Sequence, residues 1–274
     1  MASYGSSIPQ PIHSRKPLKL RLRNGEKLYG LFFRSFSPDL AEIAALAGYD
    51  FVIIDMEHGA GGIPEALSCI RALGSTGCAA VVRVPEISEA WAKKALDLGV
   101  DGIMFPMVES GRSASEAVSF CRYPPHGVRG NAVGLVRDSK FGFDKAYLAN
   151  FADKLFVMAQ IESEEGVKNA KEIVAVDGVD CVMIGPRDLS ASLGFIHDQS
   201  NPKVKSAMKT VEKAVLASEP ANGGAYLAGI ATPQNKVVDL RARGYQVVLG
   251  SADLNLFQKA VVDDVNNFKL RSLL

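Results

Sequence analysis

Four apolar runs in this 274-residue chain end in side chains that can do chemistry. FVIID, residues 51–55, leads into Asp55, Glu57 and His58, and AAVVRV, residues 79–84, carries Arg83. LFVMAQI, residues 155–161, brings Gln160 and then Glu162, while VDCVMI, residues 179–184, runs into Gly185, Pro186, Arg187 and Asp188. A lone Asp at the end of a strand is commonly a helix cap. Ionisable groups at several strand ends on one rim point instead to a site. Glu162 and Asp188 are hard oxygen donors, and two carboxylates with open positions suit an octahedral divalent ion such as Mg²⁺ or Mn²⁺. A substrate chelating through two oxygens, with waters, would complete the shell. Without an ion the pair would repel and raise one pKa. Arg83 offers a planar fork for a carboxylate or an enolate oxygen. His58 has an unperturbed pKa near neutrality and is the natural general base. No lysine lies inside the strand runs, and Lys154 precedes one of them, so carbonyl activation by a metal is preferred over an imine.

Positioning these groups requires strands that end together. From Lys27 onward, short β-branched runs alternate with helical stretches. Strands are expected at 28–33, 51–55, 79–84, 102–105, 155–161, 179–184, 224–227 and 246–249, each followed by a helix. Runs such as FVIID are too apolar for a half-exposed strand and suit buried parallel ones. Strict alternation implies a parallel sheet, and eight units in about 250 residues match a closed (β/α)₈ barrel. An open doubly wound sheet would commonly carry a phosphate-binding glycine fingerprint. GxGxxG is absent after the first strand, and GxxxxGK[ST] is absent throughout. The expectation is one barrel domain over residues 27–274, with residues 1–26 as a mobile extension. No internal repeat is expected. The segment 123–151, with Pro124, Pro125 and several glycines, is too long for a silent connector. It is expected either to fold over the site or to form a contact between subunits.

Composition narrows the partners. The chain is 47% apolar, and 31 Lys and Arg against 30 Asp and Glu leave a net charge of +1, which argues against nucleic acid as a partner. No apolar run approaches the roughly 18 residues of a membrane span, and no secretory core follows the start. Cys69, Cys78, Cys121 and Cys181 form no CxxC pair and read as buried thiols in a reducing compartment. Residues 1–25 hold five Lys or Arg and no acid, with Ser3, Ser6, Ser7 and Ser14 among them. That bias fits either a plain start or the remnant of a transit peptide, so the expected location is the cytoplasm, or a chloroplast or mitochondrion.

The segments FVIIDMEHG, VVRVP, LDLG, RYPPHGVRG, QIES and IGPRDLSASLGF stand in one order between about Lys27 and Asn267. Together they resemble the HpcH/HpaI family of metal-dependent pyruvate aldolases, which cleave 4-hydroxy-2-oxo or 2-keto-3-deoxy acids to pyruvate and an aldehyde. The resemblance implies Glu162 and Asp188 as ligands of a divalent cation (Mg²⁺, Mn²⁺ or Co²⁺). It implies His58 as base, Arg83 as the residue on the pyruvoyl oxygens, and Gln160 as a residue at metal or substrate. The backbone at Arg187 and Asp188 would meet the substrate carboxylate. Asp97, which residue pattern alone reads as a helix-end surface group, matches the acid that raises the basicity of the family histidine. Its helix ends on the face opposite the site, so it would act on a neighbouring subunit's histidine. This agrees with the family's habit of forming hexamers, trimers of dimers with exchanged C-terminal helices. Arg187 stands where many members have a small residue, which bears on substrate choice. The alternatives are a citrate-lyase-β-like lyase for CoA thioesters, whose CoA-binding pattern is not seen, and a non-catalytic barrel that binds pyruvate or oxalate.

Overall fold

A computed structural model describes residues 16–271 apart from 219, 221–223 and 233–234. Eight parallel strands follow one another around a closed barrel: β1 Leu28–Phe33, β2 Phe51–Asp55, β3 Ala79–Arg83, β4 Gly102–Phe105, β5 Phe156–Ile161, β6 Cys181–Ile184, β7 Tyr226–Ile230 and β8 Val247–Ala252. The helices of the described residues are α1 Leu18–Arg23, α2 Pro38–Leu46, α3 Ile63–Thr76, α4 Glu89–Asp97, α5 Gly111–Cys121 and α6 Tyr147–Lys154. They continue with α7 Glu164–Lys168, α8 Ala170–Val174, α9 Pro186–Ser192, α10 Pro202–Leu216, α11 Val237–Ala242 and α12 Asp253–Arg271. The (β/α)₈ barrel expected from the alternation is the observed fold.

Alternation along each strand sorts the core into two layers. Phe51 and Ile53 of β2, Ala79 and Val81 of β3, Phe156 and Met158 of β5, and Cys181 and Met183 of β6 fill the barrel. Their neighbours Val52, Ile54, Ala80, Val82, Val157 and Val182 pack outward under the helices. Burying such side chains contributes about 1.5–3 kcal/mol each, so the two faces together fix the register. Continuing the inward series by twos beyond the apolar filling gives Asp55, Arg83, Gln160 and Glu162. The same period that packs the core therefore presents the polar groups at the C-terminal mouth.

The opposite end carries a device that the expectation of no repeat overlooked. Each even-numbered strand is preceded by a three-residue turn: Gly48-Tyr49-Asp50, Gly99-Val100-Asp101, Gly178-Val179-Asp180 and Gly244-Tyr245-Gln246. All four glycines are left-handed, at φ +101°, +75°, +100° and +95°, a conformation that L side chains resist. The third residue then locks the preceding odd strand. Side-chain oxygens of Asp50, Asp101, Asp180 and Gln246 accept the backbone N–H of Tyr29, Ala80, Val157 and Leu227 at 2.7, 2.8, 2.8 and 3.2 Å. Their own N–H groups donate back to the carbonyls of those same residues. Their carbonyls accept from the first residue of the following odd strand, with Gln246 bonding to Leu28 to close the ring.

α1 corrects the expected mobile extension. Leu18 and Leu22, 1% and 3% exposed, join the interior cluster and plug the barrel from below. Lys19 pairs with Asp180 at 2.9 Å, and Arg21 with Asp50 at 2.6 Å. Residues 1–15, with their serines and any targeting signal, lie outside the described residues, as does Pro233, expected near the start of a helix. That helix begins instead at Val237, and β7 lies at Tyr226–Ile230 rather than 224–227. The segment 123–151 does not cover the mouth. It folds against the plugged end, around the cluster of Tyr123, Val136 and Tyr147, with Arg137 N–H bonded to the Asp97 carbonyl at 3.1 Å. No helix of the described residues is long and apolar enough to cross a membrane.

Candidate active site

The polar mouth is built outward from Asp55. As the last residue of β2 it pairs in register with Arg83 at the end of β3, so the two inward side chains must meet. Asp55 is fully buried and takes a two-point clasp from Arg83, Nε to Oδ1 at 2.8 Å and Nη2 to Oδ2 at 2.6 Å. Arg34 Nε adds a third bond at 2.8 Å. Burial works against the Asp55 charge, but the two guanidinium groups outweigh it and hold the carboxyl below its ordinary range. The Asp55 Oδ1 atom also accepts the His58 backbone N–H at 3.3 Å, tying the loop that carries His58 to the same carboxylate.

From Arg83 the network continues to the fifth strand. Arg83 Nη1 donates to Gln160 Oε1 at 3.2 Å, and Gln160 Nε2 donates to Glu162 Oε2. The other Glu162 oxygen accepts the Met107 backbone N–H at 2.9 Å, presented by a residue at φ +49°. Gly185, at the end of β6, makes this packing possible: a Cβ there would lie 2.4 Å from Glu162 Oε2 and 2.8 Å from Gln160 Nε2. Burial, with the charges of Asp188 and Glu57, pushes the Glu162 carboxyl up to about 7 against the help of the Met107 N–H. Asp188 is in the first turn of α9, so the Gly185-Pro186 turn delivers it to the same rim.

A cavity of about 860 Å³ opens over these groups, with His58, Arg83, Gln160, Arg187 and Asp188 on its wall. Five of the seven residues expected at the site thus share one wall, and Glu162 is joined to them through Gln160. The His58 side chain is 52% exposed, free to meet a ligand, with Nε2 3.9 Å from Glu57 Oε2. Asp97 is not brought to the site of its own chain. It ends α4 near the opposite end of the barrel, where Oδ1 accepts from Arg129 Nη2 at 3.4 Å. Arg129 is 2% exposed, stacked over Tyr123 and bonded to Tyr147.

Three groups went unassigned in the sequence, the first being Asp55, which was visible at the end of its strand but had no role although it orients Arg83. Arg34 follows β1 with nothing in its local pattern to mark it, and its partner is 21 residues away. Glu57 was visible beside His58 but had no role. Its Oε2 is buried and accepts no hydrogen bond, although Arg83 Nη1 lies 2.7 Å away as an ion-pair contact.

The donor set fits a divalent cation. Glu162 and Asp188 supply hard oxygens, and a Glu162 carboxyl raised by burial and by its acidic neighbours is what a dication would relieve. Three-ligand clusters of His, Cys, Asp or Glu are absent among the described residues, so water and substrate oxygens would fill the remaining positions.

Known proteins resemble this chain along most of its length. The HpcH/HpaI aldolase/citrate lyase family model matches residues 28–260. The hydroxypyruvate/pyruvate aldolase of Delftia acidovorans (strain DSM 14801 / SPH-1) is 35% identical over 254 residues, covering 92% of each chain. The 2-keto-3-deoxy-L-rhamnonate aldolase of Escherichia coli (strain K12) is 37% identical over 207 residues, 76% of this chain and 78% of that one. Among solved structures, an HpcH/HpaI aldolase/citrate lyase family protein from Burkholderia cenocepacia J2315 superposes with a TM-score of 0.85 at 36% identity, covering 92% of this chain and 98% of that one.

Proposed function

The chain belongs to the HpcH/HpaI aldolase/citrate lyase family and is a divalent-metal-dependent aldolase, a carbon–carbon lyase, and we propose that it cleaves a 4-hydroxy-2-oxo acid to pyruvate and an aldehyde with the residues named above. The observation that carries the assignment of residues is the chain of contacts Asp55–Arg83–Gln160–Glu162, ending beside Asp188 under an open cavity.

Glu162 and Asp188 would hold the cation, with Mg²⁺ or Mn²⁺ preferred for an all-oxygen set and Co²⁺ a further option. Bound there, it would act as a Lewis acid on the oxo-acid oxygens. Everything else falls to the protein. Asp55 fixes Arg83 in one orientation, so the guanidinium is aimed before substrate arrives and meets the keto oxygen as negative charge develops there. Gln160 accepts from Arg83 and donates to Glu162, which keeps the two ends of the site in step. The backbone at Arg187 and Asp188, in the first turn of α9, is placed to meet the substrate carboxylate. His58 Nε2 takes the proton from the C4 hydroxyl as the C3–C4 bond breaks, and a proton returned to the methylene carbon completes pyruvate. The addition of pyruvate to an aldehyde is the same path reversed.

Self-association belongs to this reading. Beyond Asp253 the described side chains of α12 are all exposed, including the spaced series Leu254, Phe257, Val261, Val265 and Phe268. An apolar stripe on a helix needs a partner surface. Leu40, Ile43 and Leu46 of α2 are likewise exposed and suit such a stripe from another copy. This supports burial of α12 against another copy, and the proposal includes its exchange between subunits in a hexamer and the delivery of Asp97 to a partner's histidine.

A lyase for CoA thioesters would call for a strongly basic groove. The adjoining cavity, about 610 Å³, sets Asp198 and the buried Glu212 among Lys205, Lys209 and Arg243, a lining of mixed sign. The deciding experiment screens pyruvate with a panel of aldehydes and Mg²⁺, Mn²⁺ or Co²⁺. Aldol addition that vanishes with a chelator and returns with the ion is expected. Full activity after chelation, or a borohydride-trapped pyruvate adduct, would defeat the proposal.

A further inference from the structure

The side chains that do the proposed chemistry occupy one part of the mouth, and the rest of its wall is of another kind. Arg187 opens α9 after β6, Lys236 precedes α11 after β7, and Lys259 stands on α12 after β8. Three consecutive strand ends thus each send one cation to the wall of the same cavity of about 860 Å³. Arg34 and Arg83, also on that wall, are held by Asp55 at 2.8 and 2.6 Å. Arg187, Lys236 and Lys259 are exposed instead, and make no ion pair among the described residues. Asp239 accepts from the backbone N–H of Lys236 at 3.2 Å rather than from its ammonium. Asp188 follows Arg187 in the first turn of α9, and adjacent residues on a helix do not face each other. Lys259 lies across α12 from the apolar stripe of Leu254, Phe257 and Val261, so a subunit covering that stripe leaves it at the mouth.

The balance of charge says what these cations would meet. Asp55 and Glu57 offset Arg34 and Arg83, at contacts of 2.8, 2.6 and 2.7 Å. Glu162 and Asp188 would offset a dication. The 2-oxo carboxylate of a substrate then brings one negative charge to a wall with three further positive ones. Like charges around one cavity repel, and an anion among them gains charge-assisted hydrogen bonds, two at once from an arginine fork. Resting on the aldolase reading above, we infer that the substrate carries a second anionic group, a carboxylate or a phosphate, on the aldehyde side of the bond that breaks. Arg187, Lys236 and Lys259 bind it. The oxo-acid end lies at Arg83 and Gln160, on β3 and β5, and a chain leaving it toward β6, β7 and β8 runs along the three cations. Arg187 then sets specificity through its side chain, while its backbone serves the first carboxylate.

A 2-oxo acid without a 4-hydroxyl cannot be cleaved by this route, so it reads binding apart from turnover. Titration calorimetry of the intact protein with Mn²⁺ would compare 2-oxoglutarate, 2-oxoadipate and 2-oxopimelate, each against the monoacid of the same chain length. The diacid of best length should bind about 10–100-fold tighter than its monoacid, with a preference that shrinks as salt rises. Arg187→Gln should remove most of that ratio, and Arg187→Lys should restore part of it. Lys236→Gln and Lys259→Gln should each reduce it less. Steady-state addition of pyruvate to glyceraldehyde 3-phosphate against glyceraldehyde, and to aldehydes with a terminal carboxylate against their neutral amides, tells phosphate from carboxylate. Equal affinity within every pair, with no preference for either charged aldehyde, would overturn the proposal. So would a preference that survives replacement of all three cations together. A diacid preference without aldol turnover would refute the aldolase reading and leave the anion site standing. Chelator-sensitive turnover without any preference would refute the anion site alone.

Discussion

At the N-terminal end of the barrel one three-residue device recurs before β2, β4, β6 and β8, whereas at the C-terminal end no two of those strands finish alike. The lower ring repeats because its task repeats: each odd strand needs its first N–H groups satisfied and its neighbour held in register. The mouth cannot repeat, because a chelated oxo acid is asymmetric and each of its oxygens needs a different partner. Charge is handled differently too. Below, Lys19 and Arg21 balance Asp180 and Asp50. Above, burial and then the charges of Asp188 and Glu57 work against ionisation of Glu162. One end is tuned for stability, and the other holds strain that ligands would relieve.

Substitutions at the two ends should therefore separate activity from stability. The largest effect is expected from Glu162→Gln, with kcat/KM for aldol cleavage down by about 10³-fold or more in a steady-state assay. The same variant should lose a pH dependence of stability. A carboxyl whose folded pKa is raised from 4.5 to about 7 stabilises the fold fully below its unfolded value, and that contribution is lost as pH rises through about 7. Chelated wild-type protein should show that decline in thermal melts, and Glu162→Gln should flatten it. Arg83→Lys comes next, at about 10²-fold in kcat/KM, because an ammonium cannot span both Asp55 oxygens and Gln160. It should also lower the melting temperature, the one case where an upper residue behaves like a lower one, since Asp55 loses its clasp.

Leu18→Ala tests the other end, with about 2–5 kcal/mol of stability lost in denaturant unfolding. Asp101→Ala is the smallest, about 1–3 kcal/mol, from the Ala80 N–H left buried without its acceptor. Both should leave kcat near wild type. A large fall in kcat from Asp101→Ala would show that the two ends are not separable in the way proposed.

The sequence carried the barrel because parallel strands buried on both faces read as continuous apolar runs, and FVIID and AAVVR fall where β2 and β3 are found. It carried most of the mouth for a related reason: polar residues abruptly ending such runs have few other places to go. It did not carry α1, since LKLRLR alternates like a strand and is too short for a helical period to show. The lower ring escaped notice because its units are three residues long, lie 51, 79 and 66 positions apart, and replace Asp with Gln at the fourth. Arg34 and the unmet need of Glu57 depend on neighbours distant in sequence, and such contacts appear only when the strands are assembled.

The plug formed by Leu18 and Leu22 bears on the order of events in turnover. A well sealed at the bottom has a single way in and out, and the buried Arg83 and Gln160 line it. On the proposed chemistry, pyruvate is left at that depth and the aldehyde nearer the opening. Release is then sequential, aldehyde first and pyruvate last, so pyruvate should act as the competitive product inhibitor and the aldehyde as a noncompetitive one.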